Sequence, residues 1–164
     1  MRIFGMLVAA ATAALAGCAS MDGSSLVPNK STAAEVEALM GAPAERLERA
    51  DGSRVLYYPR ARQTYAVVLG KDGLVRAVEE RVTRANIAKL VAGQTATKEV
   101  RELFGPPERA VRMERLQRDV WEYPYRYYDE YRVLWVQFSG DGLVREVLDM
   151  LDWSAYPPSG PSLP

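Results

Sequence analysis

The sequence predicts an α+β protein made of two tandem copies of one unit, each a capped helix followed by a small antiparallel sheet. Three observations lead there. Residues 93–107, GQTATKEVRELFGPP, have a weaker copy 64 positions earlier in residues 29–43, NKSTAAEVEALMGAP. The pentapeptide Asp72-Gly73-Leu74-Val75-Arg76 recurs letter for letter as Asp141-Gly142-Leu143-Val144-Arg145. Between these landmarks the strand-forming runs 55–58 and 65–69 align with 120–123 and 134–138. Matches in the same order at nearly the same spacing mark an internal repeat. The offset grows from 64 to 69 between the two landmarks, so the second copy holds about five extra residues ahead of its last hairpin.

The chain opens with Arg2 and an uncharged run, residues 3–16, which has the length and composition of a signal h-region and is short for a membrane span. It ends in Leu15-Ala16-Gly17-Cys18, which resembles the bacterial lipoprotein box. Residues 1–17 are then a signal peptide, and the Cys18 thiol and new amine carry the acyl chains. At roughly 0.8 kcal/mol per buried methylene, three chains anchor firmly. No Asp follows the cysteine, which by lipoprotein sorting points to the periplasmic face of the outer membrane. Residues 18–30 read as the acylated N-terminus and a tether.

The first unit spans residues 31–83. Its helix, residues 31–40, sets Val36, Leu39 and Met40 on one side and stops at Gly41 and Pro43. Asp51-Gly52 signals a hairpin, residues 54–58 a strand closed by Pro59, residues 65–69 the next strand, Asp72-Gly73 a tight turn, and residues 74–82 the last strand. The second unit spans residues 84–152. A short helix, 84–92, precedes Gly93, and Thr95 or Thr97 caps a helix bearing Val100, Leu103 and Phe104, stopped by Gly105 ahead of Pro106 and Pro107. Alternation places Leu134, Val136 and Phe138, like Tyr65, Val67 and Leu69, on the faces toward the helices. The opposite face then shows Val133, Trp135 and Gln137.

The most unusual composition is residues 123–132, YPYRYYDEYR. Tyrosine and arginine give rigid contact area with hydrogen-bonding tips and concentrate at protein interfaces. Tyr125, Tyr127, Tyr128, Tyr131 and Trp135 are accordingly the candidate partner-binding residues, the bland alternative being a long hairpin whose tyrosines cover their own core. Residues 153–164 form a Pro-rich tail, its last eight positions unable to support a packed element, with Trp153 and Tyr156 placed to pin its start.

With a lipobox, a helix, GQT-x-x-x-EV-x-x-LFG-x-P, the aromatic pair Trp121 and Tyr123, and a DG hairpin before the last strand, the second half resembles the BamE (SmpA/OmlA) lipoprotein family. The resemblance covers residues 84–150 well and 26–82 more loosely, Asn29 replacing the glycine, and Leu56 with Tyr58 standing where the aromatic pair would be. It implies an αα-βββ unit, with helices on one face of the sheet, and a part in the machinery that inserts β-barrels into the outer membrane. The tandem arrangement resembles secreted β-lactamase inhibitor proteins, whose combined sheet forms a concave protein-binding surface.

Composition narrows the chemistry. There are 21 basic and 21 acidic side chains, and removing residues 1–17 takes away only Arg2, so no basic excess points to nucleic acid. Histidine is absent, which removes the commonest general base and metal ligand, and one cysteine cannot form an internal disulfide. No catalytic residue, metal or cofactor is expected. An enzyme would have to use carboxylates such as Glu79 and Glu80 or Asp149 and Asp152, with nothing in the sequence to split their pKa values. The expected function is therefore a non-enzymatic, lipid-anchored domain that binds an envelope protein. The alternatives are a small-ligand or lipid sensor and a periplasmic protein inhibitor.

Overall fold

The computed structural model describes residues 22–156; the proposed signal peptide, Cys18 and the tail from residue 157 lie outside them. In the first unit a helix α1 (Ala33–Met40) leads into strands β1 (Glu45–Glu48), β2 (Arg54–Arg60), β3 (Gln63–Leu69) and β4 (Val75–Glu80). In the second, α2 (Arg84–Ile87) and α3 (Thr97–Phe104) precede β5 (Arg109–Met113), β6 (Arg118–Tyr127), β7 (Glu130–Phe138) and β8 (Val144–Leu151). Each set of four strands forms its own antiparallel meander, in the orders β1-β2-β3-β4 and β5-β6-β7-β8. The α+β class is as the sequence predicts. Each unit has four strands rather than three, the first has a single helix, and the sheets are separate.

The repeat extends to individual hydrogen bonds. Ser31 Oγ accepts from Val27 N and Thr95 Oγ1 from Val91 N, each closing the turn before its helix. The helix N-caps are therefore Thr32 and Ala96, one residue away from those expected, and the carboxylates of Glu35 and Glu99 accept from their backbone N–H groups at 2.6 and 2.7 Å. This reciprocal bond holds Glu35 below the usual carboxylate range, the Thr32 backbone N–H being the main cause. Asn29 N–H donates to Val75 O just as Gly93 N–H donates to Val144 O, and both residues have positive φ, 61° and 74°. Asparagine is the non-glycine residue that tolerates this conformation best, so it stands in for glycine in the first copy.

Two local expectations change for physical reasons. The helix expected over 84–92 ends at Ile87, because the chain must turn at residues 91–95 to bring the Gly93 N–H onto β8. Pro59 does not close β2, which runs on to Arg60 and pairs Pro59 with Thr64. Of the tether expected over 18–30, the described residues 22–30 do not behave as one. From residue 22 the chain packs on the first unit: Gly23 is buried, Leu26 lies against the α1 core, and Ala33 and Asn29 are bonded to the β3–β4 turn and β4.

Sheet alternation builds the core. Leu56, Tyr58, Val67 and Leu69 face Val36 and Met40 of α1, while Tyr123, Tyr125, Leu134, Val136 and Phe138 face Val100 and Phe104 of α3. The reverse face of the first sheet carries a third cluster, Val55, Tyr57 and Ala66. It is here that the units meet. Tyr57 Oη donates to Glu102 O at 2.6 Å, and Arg81 donates from Nε to Leu103 O at 2.7 Å and from Nη2 to Glu102 O at 3.0 Å. The last carbonyls of α3 have no partner within the helix, and a guanidinium completes them while matching the negative end of the helix dipole. α3 thus lies between the two sheets, packed on one and clamped at its C-terminal end by the other.

Candidate functional site

The second sheet has one face turned to α3 and one against which, among the described residues, only the short helical turn Trp153–Ala155 is set. Strand register identifies the uncovered face. Trp135 stands between Glu122 of β6 and Leu148 of β8, Val133 between Pro124 and Met150, and Gln137 between Val120 and Glu146. Side chains directly opposite in an antiparallel pair share a face. The result is an apolar stripe of half-buried Pro124, Val133, Trp135, Leu148 and Met150, with the fully buried Val120 at one end and charge on its borders. Arg109 binds the Glu122 carboxylate through both Nε and Nη2, at 2.9 and 2.7 Å. Arg118 donates to Gln137 Oε1 at 2.7 Å and pairs with Glu146 at 3.0 Å. An apolar centre inside a polar rim is the usual anatomy of a protein interface.

Beside Trp135 the face sinks into a trough of about 550 Å³, floored by Val133, Trp135 and Pro124 and walled by Glu108, Arg109, Glu122, Asp152 and Ser154. Trp135 Nε1 is buried and meets no acceptor among the described residues. An indole N–H is a donor only, so a buried one without an acceptor is a group with an interaction still to make.

The candidate residues of the tyrosine-rich segment separate rather than converge. Tyr125 is 1% exposed on the inner face, where its hydroxyl donates to Asp149 Oδ1 at 2.8 Å, so it belongs to the core and is not available to a partner. Tyr127 is on the same side under the Arg84 guanidinium, 4.7 Å from the ring centre. Tyr128 is 80% exposed at the tip of the β6–β7 hairpin, with φ of 51°. Tyr131 and Trp135 are on the uncovered face. Tyr131 is held by Arg62 over its ring and by Tyr156, whose hydroxyl accepts from Tyr131 N. Tyr156 therefore pins the start of the tail as expected, whereas Trp153 is 74% exposed. Leu148, Met150 and Pro124 were absent from the sequence-based set. The alternation of Leu148 and Met150 in β8, read against Trp135, carried the signal.

Three of the four carboxylates that an enzyme would need are engaged separately, and the fourth, Glu80, lies at the edge of the first sheet, opposite Tyr65. Glu79 pairs with Arg81 at 2.6 Å. Asp149 bonds Tyr125, Arg132 and Arg84, while Asp152 pairs with Arg62 and accepts from Ser154. The Ser154 hydroxyl, aided by Arg62, holds Asp152 below the usual range against the effect of burial.

Burial is the main reason that the phenols of Tyr57 and Tyr125 are each pushed up to about 12, and Tyr123 still higher. For Tyr57 the Arg81 charge opposes this, and for Tyr125 the bond to Asp149 adds to it. These groups stay protonated in the folded chain at a pH where the unfolded chain ionises. The stability they confer is complete below pH 10 and is lost as pH rises from 10 through 12, at up to about 1.4 kcal/mol per pH unit for each phenol. Urea titrations at pH 9, 10, 11 and 12 should show this steepening, and Tyr125→Phe should flatten it.

No family model matches the chain, and no curated protein matches it. One solved structure is similar: a DUF4309 family protein, YjgB, from Bacillus subtilis subsp. subtilis strain 168. It shares 18% identity, with 79% of this chain and 84% of that one covered and a TM-score of 0.31.

Proposed function

We propose that this is a non-enzymatic lipoprotein, anchored through Cys18 to the periplasmic face of the outer membrane, which binds another envelope protein through the uncovered face of its second sheet. A role in outer-membrane protein assembly or envelope maintenance follows from the BamE-like motif. The observation that carries the reading is Trp135: an aromatic anchor in an apolar, charge-rimmed stripe, its indole N–H unpartnered. Tryptophan is the residue type most enriched among those that dominate binding energy. Tyr131 borders the same face, and Tyr128 projects beyond it.

The test is carried out in cells. A photocrosslinker at Leu148 should trap an envelope protein that one at Glu37, on the exposed side of α1, does not. Trp135→Ala should weaken that complex by at least about 30-fold, the loss of a hot-spot anchor of about 2 kcal/mol. Cys18→Ala should leave the membrane fraction or remain unprocessed. Equal crosslinking from Leu148 and Glu37 would show that the surface is wrongly chosen, and outer-membrane retention of Cys18→Ala would remove the anchor.

A further inference from the structure

A second concave surface lies where the β2–β3 hairpin of the first unit meets the β6–β7 hairpin of the second. It is a groove of about 620 Å³ lined by three arginines, Arg60, Arg62 and Arg126, with Gln63 and the rings of Tyr65 and Tyr131. Glu80 is the carboxylate in its lining. The arginines differ in how they are neutralised. Arg62 pairs with Asp152 and stacks on Tyr131. Arg126 donates to Tyr128 O and, at 3.3 Å, to the fully exposed Asp129. Arg60 meets no carboxylate among the described residues. Its two terminal nitrogens donate to Met40 O at 2.6 Å and Pro59 O at 3.1 Å, and its guanidinium lies 5.3 Å from the centre of the Tyr58 ring. Met40 O is at the C-terminal end of α1, so the helix dipole offsets part of this charge, but a partly buried cation without a counter-ion remains.

Two polar atoms in the lining are also unpaired. Both are buried: Arg60 Nε, a donor, has no acceptor, and Gln63 Oε1, an acceptor, has no donor among the described residues. The pair discriminates between ligands. A phosphate offers acceptors only and would complete Arg60 while leaving Gln63 as it is. A peptide chain offers both a carbonyl or carboxylate oxygen and a backbone N–H. We propose that this groove binds an acidic peptide segment, carboxylates against Arg60, Arg62 and Arg126 and a backbone amide donating to Gln63 Oε1, with Tyr65 and Tyr131 as its walls. Arg126 and Tyr131 continue the face that carries Trp135, and the turn Trp153–Ala155 separates this groove from the trough beside Trp135.

The full-length acylated protein in detergent micelles, titrated with a fluorescein-labelled hexaglutamate peptide and followed by anisotropy, tests this. Arg62→Glu should raise Kd at least about tenfold and Arg126→Gln about threefold, since removing charge complementarity weakens capture. Arg145→Glu, an exposed arginine on β8, and Trp135→Ala should leave it unchanged. Arg126 has exposed partners, so Arg126→Gln keeps the test valid should Arg62→Glu disturb the fold. Equal weakening by Arg145→Glu would reduce the effect to general charge attraction and overturn the site. So would displacement of the peptide by inorganic phosphate at concentrations where chloride of equal ionic strength does nothing. Loss of peptide binding in Trp135→Ala would merge the two surfaces and overturn their separation, whereas failure of the crosslinking test alone leaves this groove standing.

Discussion

Gly105→Ala should destabilise the protein by about 4 kcal/mol, and the equivalent change in the first copy, Gly41→Ala, by about 2. Both glycines end their helices in nearly the same conformation, φ 79° and ψ −168° at Gly41, φ 82° and ψ −163° at Gly105. That region is essentially restricted to glycine, so a Cβ is strained at either position by about 1–3 kcal/mol. The surroundings differ. A Cβ on Gly41 meets nothing within 4 Å, whereas one on Gly105 would lie 2.6 Å from Tyr57 Cδ1 and 2.9 Å from Cγ. Tyr57 is fully buried and bonded to Glu102, so it has little room to retreat and an overpacking term of about 1–3 kcal/mol adds to the strain. Urea unfolding of both variants checks the difference. In a Tyr57→Ala background the extra term should disappear, and Gly105→Ala should then cost no more than Gly41→Ala.

Asp149→Ala should be of similar size, about 3–5 kcal/mol. The Asp149 carboxylate, with a side chain 15% exposed, receives Tyr125 Oη and Arg132 Nε at 2.8 Å on Oδ1 and pairs with Arg84 at 2.7 Å on Oδ2. Arg132 is itself only 14% exposed. The bonds from Asp149 raise the Arg132 pKa and keep it firmly charged. Removing the acid therefore leaves a nearly buried cation with Glu130 as its remaining acidic partner and a core phenol without its acceptor. Replacing the pair together, as Asp149→Leu with Arg132→Met, should recover much of the loss, because two apolar groups of similar volume need no counter-ion. A double variant no more stable than Asp149→Ala would mean that the network contributes beyond its charge balance.

The sequence displayed the repeat because its signatures sit where backbone geometry is least forgiving. Gly41 and Gly105 occupy a conformation other residues avoid, and the DGLVR hairpins feed matching bulges, at Val68/Leu69 and Gln137/Phe138. Strands β1 and β5 were hidden. ERLE and RAVRM are edge strands held partly by cross-strand ion pairs such as Arg109 with Glu122, and they lack the apolar alternation that marks a buried strand. The direction of the tyrosines was obscured by their density: in a segment where almost every residue is aromatic or charged, composition does not say which alternate set faces inward. Pairing of Tyr123 with Leu134 settles it, sending Tyr125 inward. The junction between the units rests on Tyr57, Arg81 and the end of α3, contacts between residues 21 to 45 positions apart that no local pattern announces.

The packing of the chain from residue 22 onward, with Gly23 against Met40 and Val78, matters for where such a molecule can search. Position 22 is four residue steps from position 18, a reach of at most about 14 Å when fully stretched. Fastened at Cys18, the globule would be confined to a thin layer hugging the bilayer, so its encounters would be two-dimensional. Its counterpart would have to present the matching surface within a few water layers of the headgroups.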